Sequence, residues 1–281
     1  MSAQAPARQD LGTRRTRVVL ITVALAYVGI LLVAPLGGIV WTALKGGVGI
    51  IGSTVGRSDV RHAFELTGIL TILTVAVTGV FGVVLALVLA RDSFPGRRIL
   101  SAFVDLPLAI SPVIVGLMAV LLFGRGGWFE PFFAARGIQI MFALPSMALV
   151  TIFICIPFVI REVIPVLQEL GTEEEEAART LGASRWQTFF RVTLPNIRWG
   201  LLYGVALSTA RAMGEIGAVL IVSGAIQGQT ETATLFIFRA LEERQDAAAN
   251  LVALTLATVS IVLLAAIEIF KRRRAKEMTT T

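Results

Sequence analysis

A chain of 281 residues that is 56% hydrophobic and only 16% charged, with a mean hydropathy of +0.80, carries too much apolar surface for a soluble enzyme. It reads as an all-α, polytopic membrane protein, and its formal net charge of +6 has to be located before it is interpreted. A single cysteine, Cys155, inside an apolar run and a single histidine, His62, at a loop edge exclude an internal disulfide framework and leave no Cys/His pair for a metal.

In chain order, a polar tail over 1–17 ends in Arg14, Arg15 and Arg17, and an apolar run over 18–44 follows. That run is longer than the hydrophobic region of a signal peptide and no small-residue cleavage site follows it, so it is expected to remain as a first membrane anchor. A second unit, 62–270, carries further expected spans at 64–90, 99–123, 142–167, 199–222 and 247–270, each near or above the ~20 residues a bilayer requires. A basic tail, 271–281, closes the chain. Six spans place both termini on one side. Of the 25 Lys and Arg residues, sixteen fall in 1–17, 91–98, 168–198 and 271–281, and seven in 45–62, 124–141 and 223–246. The positive-inside rule therefore puts both termini in the cytosol, and the net charge is a topology signal, not a nucleic-acid surface.

Within the second span Thr67, Thr71, Thr74 and Thr78 share one helical face. They either bond backbone carbonyls and neighbouring helices or line a polar path. Pro107 and Pro112 in the third span and Pro157 and Pro165 in the fourth are expected to kink those helices. The 124–141 loop is rich in glycine and aromatics, and Trp128 and Phe129 suit either an interfacial belt or contact with an external protein.

The polar stretch 172–196 interrupts the apolar pattern. Thr172 with Glu175 has the spacing of a capping box, Glu173 to Glu176 occupy the first turn, Ala177, Ala178 and Leu181 give a small-residue face, and Gly182 ends the helix. Ser184 with Gln187 repeats the capping pattern, Trp186, Phe189 and Phe190 fall on one face, and Pro195 is expected to stop the second helix. Exposed aromatics and Arg on such an element fit a groove on a partner or the lipid headgroups. In the fifth span Gly204, Ser208, Arg211 and Glu215 share a face, and an unpaired Arg211 near mid-bilayer would cost ~3 kcal/mol or more. Glu215 is its expected partner; the pair either locks helix packing or offers an anion a moderated positive site.

Glu176-Ala177-Ala178, Gly182 and Val192-Thr193-Leu194-Pro195 resemble the EAA loop of ABC importer permeases, with Val192 where that family usually has Ile. The resemblance implies that Glu176, Ala177, Ala178, Gly182, Trp186, Phe189, Phe190 and Pro195 dock on an ATP-binding subunit. More broadly, Phe142-Ala143-Leu144-Pro145 and the runs 157–165, 192–204, 210–219 and 222–232 resemble the sulfate and thiosulfate branch of type I ABC importer permeases, and within it the W-type subunits. Departures are Ile216, where Phe is usual, and Ala225-Ile226-Gln227, where a histidine and a basic residue are common, which puts this loop's share in receiving an anion in doubt.

The resemblance implies a bacterial inner-membrane importer of sulfate, with thiosulfate as a further candidate, built with a T-type permease, two ATP-binding subunits and an external sulfate-binding protein. Molybdate or tungstate would suit the same shape and charge. Lys45, Lys271 and Lys276 are the only lysines and none follows a glycine, so no P-loop exists and ATP and magnesium are expected on the partner. The chain itself is expected to hold no cofactor or metal and to be no enzyme, since neither a His pair nor a Ser–His arrangement is available. An ion-coupled secondary transporter would have to use Asp105, Glu162 or Glu215.

Overall fold

The computed structural model describes residues 14–45, 52–54 and 56–278. Parts of the tails and of the 45–62 loop considered above therefore lie outside the described residues. Among those described, every regular element is helical. In order these are α1 (Arg14–Lys45), α2 (Ser58–Arg91), α3 (Arg97–Ala109), α4 (Pro112–Phe123), α5 (Glu130–Ala134), α6 (Leu144–Leu170) and α7 (Glu173–Thr180). Then come α8 (Arg185–Thr188), a π-helical turn (Phe189–Thr193), α9 (Leu194–Met213), α10 (Gly217–Ser223), α11 (Ala233–Glu242) and α12 (Asp246–Met278).

Four helices are long and apolar enough to cross a membrane, and the number rises to six if each of two bent pairs counts as one span. One bend falls in the third span, where prolines were expected to kink the helix, and the other in the fifth, where the sequence left a smooth helix. Between α3 and α4 the axis turns by 113°. Pro112 lacks an N–H and pushes Ser111 into extended backbone (φ −60°, ψ 137°), so the expected third span is broken at Ser111, whereas Pro107 stays inside α3. The fifth span, read as one helix, turns by 55° between Met213 and Gly217. The fourth behaves oppositely: α6 runs unbroken through both Pro157 and Pro165.

Two further expectations are corrected. Pro195 does not stop its helix, because the chain passes from α8 through the π turn into α9 without leaving helical backbone. Leu194 N–H reaches back five residues to the Phe189 carbonyl, and this widened turn makes room for a ring that would collide with a carbonyl in a regular α-helix. The last helix also continues past residue 270 to Met278.

The centre of the bundle is α2, α6 and α9, with α1 lying along α12 at the outside. At one end Val83, Ala86, Leu89, Val159, Ile160, Val163 and Ile197 form a buried cluster; toward the other, Leu66, Leu70, Met147, Ile154, Val219 and Val222 do. The three central helices approach closely through small residues, as apolar solvent demands when side-chain burial alone gives no drive to associate. A Cβ built on Gly204 would lie 2.7 Å from the Val159 Cα, and one on Gly200 would lie 2.7 Å from the Glu162 carbonyl oxygen.

Gly204→Ala should therefore force α6 and α9 apart at a cost of about 1–3 kcal/mol. A fall of several degrees in the unfolding temperature of the purified protein is expected, with no fall for Gly68→Ala, whose Cβ would meet nothing within 4 Å.

Candidate functional site

The polar element between α6 and α9 is a helix–turn–helix with its own internal closure. Gly182 takes φ +87°, its N–H bonds the Arg179 carbonyl at 2.9 Å, and the Ala183 N–H bonds the Ala178 carbonyl at 3.0 Å. This is a Schellman closure that uses the left-handed backbone glycine permits. Space does not decide the residue, since a Cβ at 182 would meet nothing within 4 Å. At the next helix the expected capping box is present: Gln187 N–H donates to Ser184 Oγ at 3.3 Å, and Ser184 N–H donates to Gln187 Oε1 at 2.8 Å.

The box expected at Thr172 is absent. Thr172 Oγ1 donates instead to Glu176 Oε1 at 2.7 Å, and Glu175 turns toward the bundle. There its Oε1 accepts from Arg91 Nη2 at 3.2 Å and from Thr193 Oγ1 at 3.0 Å, beside an Asn196 to Glu174 bond of 2.5 Å. None of these partners was legible locally, as the cluster gathers the end of α2, the start of α7 and the π turn.

The aromatics split. Phe189 packs inward on the cluster around Val159 and Ile197, while Leu181, Trp186 and Phe190 stay 89%, 73% and 57% exposed. Trp186 and Phe190 stack with ring centroids 6.0 Å apart. Glu176, Ala177 and Pro195 are exposed and Ala178 is half-buried. The element thus presents an apolar surface away from the membrane helices, rimmed by carboxylates and Arg179, Arg185 and Arg191.

Among the membrane residues, Arg211 Nη1 lies 2.5 Å from Glu215 Oε2, with side chains 30% and 1% exposed. The contact has ion-pair distance without hydrogen-bond alignment. Glu215 Oε1 also accepts the Ala218 N–H at 2.8 Å, so one carboxylate both pairs Arg211 and caps α10 where the fifth span breaks. Ser208 is buried and donates to the Cys155 carbonyl at 3.3 Å, joining α9 to α6. The four threonines are buried on one face. Thr67 donates to the Ala63 carbonyl and accepts the Ala233 N–H, Thr78 donates to the Thr74 carbonyl, and the Thr71 and Thr74 hydroxyls have no partner among the described residues. These hydroxyls are enclosed within one chain.

Sequence reasoning missed two charge arrangements, each closed by a contact between residues far apart in the chain. Arg161 on α6 forks onto Asp105 of α3, with Nε 2.7 Å from Oδ1 and Nη2 on Oδ2. At the end of the bundle opposite Gly182, Arg239 holds Glu231 (2.6 Å) and Glu243 (3.1 Å) and reaches Asp59, which Arg57 and Gln227 also bond. Hydrogen bonding to Glu231 pushes the Arg239 guanidinium above its ordinary pKa, so its charge is fixed at any accessible pH. His62 Nε2 lies 3.1 Å from the Gln229 carbonyl, and no group of three metal-ligating side chains occurs among the described residues. Trp128 is 84% exposed on the 124–141 loop, whose Phe129 stacks on Phe123.

A family model described as the binding-protein-dependent transport system inner membrane component matches residues 79–276. The chain is similar to the sulfate transport system permease protein CysW of Synechocystis sp., 48% identical over 261 residues that cover 93% of this chain and 95% of that protein. It is also similar to the sulfate transport system permease protein CysT of Escherichia coli (strain K12), 37% identical over 250 residues, or 89% of this chain and 90% of that one. A crystal structure of a bacterial alginate ABC transporter, in complex with an alginate pentasaccharide-bound periplasmic protein, shares the fold with a TM-score of 0.77 at 20% identity, covering 94% of this chain and 96% of that chain.

The turn at Gly182 gives a direct test. Gly182→Val places a β-branched residue at φ +87° and should disorder the exposed apolar surface, lowering the amount of ATP-binding subunit that copurifies. Gly182→Asn, which tolerates left-handed backbone, should retain most of it.

Proposed function

This chain belongs to the inner-membrane components of binding-protein-dependent transport systems and, among them, to the sulfate transport permeases, and from that premise we infer how it works as the membrane subunit of a sulfate ABC importer. The observation that carries the substrate is the 48% identity, over nearly the whole of both chains, with a sulfate permease. The protein is a multi-pass inner-membrane protein and not itself an enzyme.

In our reading the second permease of the pair is a T-type subunit, two copies of an ATP-binding subunit hold ATP and magnesium, and an external sulfate-binding protein delivers the anion. Both termini and the Gly182 turn face the cytosol; Trp128 and Gln227 face outward. Leu181, Trp186 and Phe190 enter a cleft of the ATP-binding subunit, where buried aromatics with an arginine rim are effective anchors. ATP-driven closure of the ATPase pair moves this element and, through it, the membrane helices. Molybdate, tungstate or thiosulfate remain competitors for the same path. A secondary transporter is not favoured, since Asp105 and Glu215, two of its three acidic candidates, are already closed by Arg161 and Arg211.

Arg211 is the residue we assign to the anion in transit. Its side chain keeps about a third of its surface open while Glu215 is enclosed, so the guanidinium can offer donors without releasing its partner. Glu215 offsets the charge and keeps binding weak enough for release.

Three outcomes are expected. The reconstituted complex should take up labelled sulfate only with ATP, and competition from molybdate weaker than from unlabelled sulfate is expected. With Cys155→Ser as background, Arg179→Cys should label from the cytosolic side and Trp128→Cys from outside; the reverse would end the coupling assignment. Arg211→Met with Glu215→Gln removes both charges yet keeps an acceptor for the Ala218 N–H. That double variant should assemble, retain basal ATP hydrolysis and lose sulfate uptake by at least about tenfold, equivalent to ~1.4 kcal/mol. Near-normal uptake would leave the pair a purely structural staple.

A further inference from the structure

We propose that the cluster of Arg91, Glu175 and Thr193 is the joint that passes motion of the cytosolic element to the membrane helices, with Glu175 as its positioning residue. The proposal rests on the coupling role assigned above.

Apart from Glu175 and the half-buried Ala178, the residues of α7 are exposed. A push on Leu181, Trp186 or Phe190 therefore reaches the bundle by two routes. One is covalent, through α8 and the π turn into α9, and at the other end through the Gly171 link into α6. The other is the Glu175 carboxylate. Its Oε1 takes both the Arg91 guanidinium, from the last residue of α2, and the Thr193 hydroxyl, from the last residue of the π turn. Glu175 and Arg91 are largely enclosed, at 12% and 17% side-chain exposure, which strengthens their attraction over that of a surface pair. Arg91 Nε is buried with no partner of its own, so a guanidinium deprived of Glu175 would lose its ionic partner in an enclosed place.

Geometry makes this contact mechanically useful. Arg91 ends the 34-residue helix α2, which packs along both α6 and α9, and Thr193 sits where a widened helical turn leads into α9. Widened turns are wound differently from the α-helix on either side and can change register at small cost. With Glu175 bonded, α7 cannot shift without carrying the ends of α2 and α9 together. Without it, the element can rock about Gly171 while α2 stays behind. The Asn196 to Glu174 bond of 2.5 Å adds a second, exposed tie on the same side and cannot replace a link to α2.

The test uses the complete reconstituted importer and reads sulfate moved per ATP hydrolysed, in whatever fraction of each variant assembles. Glu175→Gln and Arg91→Met should leave basal ATP hydrolysis near the wild-type rate and lower that ratio by at least about fivefold, the low end of ordinary coupling between sites. The exchange Arg91→Glu with Glu175→Arg restores the ion pair in reverse, with Thr193 able to accept in place of donating, and should recover much of the ratio. Thr193→Val keeps both charges and should show a smaller loss. An unchanged ratio in Glu175→Gln, or no recovery in the exchange, overturns the joint. A wild-type complex that binds the ATP-binding subunits yet moves no sulfate overturns the transport reading instead, and is visible before any variant is made.

Discussion

A backbone break inside a membrane helix persists only where each freed N–H and C=O finds a substitute partner, because lipid offers none. The break between Met213 and Gly217 meets that condition chiefly through Glu215. Its carboxylate accepts the Ala218 N–H and balances Arg211, while its own carbonyl accepts from Thr234 Oγ1 at 2.8 Å. Much of the Asp59 end depends on the direction α10 takes from there. The Val222 carbonyl near the end of α10 receives the Phe142 N–H and the Ser146 hydroxyl, which fixes the start of α6. Thr67 of α2 accepts the Ala233 N–H at the start of α11. One carboxylate thus orients the half-helix α10, against which the start of α6 is registered.

The opposite end of the bundle is held in another way. The α2, α6 and α9 backbones meet through Gly82, Gly200 and Gly204, where Val159 and Glu162 leave no room for a Cβ. Contacts this close transmit displacement as a rigid body and tolerate little shear. The helix–turn–helix element at Gly182 is built on local closures instead, the Schellman turn at Gly182 and the box at Ser184, and keeps its shape while its apolar side chains stay in solvent. On the coupling reading proposed above, a rigid lever attached to a tightly packed trio is what a remote ATP-driven motion requires, and the polar contacts at Arg91 join the two.

Features closed within a few residues were legible in the sequence. The apolar runs, the φ of Gly182, the Ser184–Gln187 box and the Arg211–Glu215 pair all depend on neighbours within about one helical turn. Features closed at a distance were not. Glu175 has the spacing of a capping residue, and it leaves that role because Arg91, 84 positions away, offers a charged and enclosed partner. Asp105 and Arg161 stand 56 positions apart and read as two separate intramembrane charges. Prolines were ambiguous for a related reason. Pro112 follows a residue free to extend and breaks its span, Pro157 and Pro165 are carried inside a helix packed on α2 and α9, and Pro195 is absorbed by a π turn no residue pattern announces.

On the path proposed above, the charge inventory sets how the work of import is divided. Each intramembrane arginine brings its own carboxylate, Arg211 with Glu215 and Arg161 with Asp105, so neither pair carries net charge toward a divalent anion. A path of neutral pairs and hydroxyls can replace part of the hydration of sulfate but cannot hold it strongly, since tight binding in transit would stop release. On that reading affinity belongs to the external binding protein. The permease needs instead a reason for the anion to leave in one direction, and on the same reading a displacement of the packed α2, α6 and α9 trio as one body supplies it.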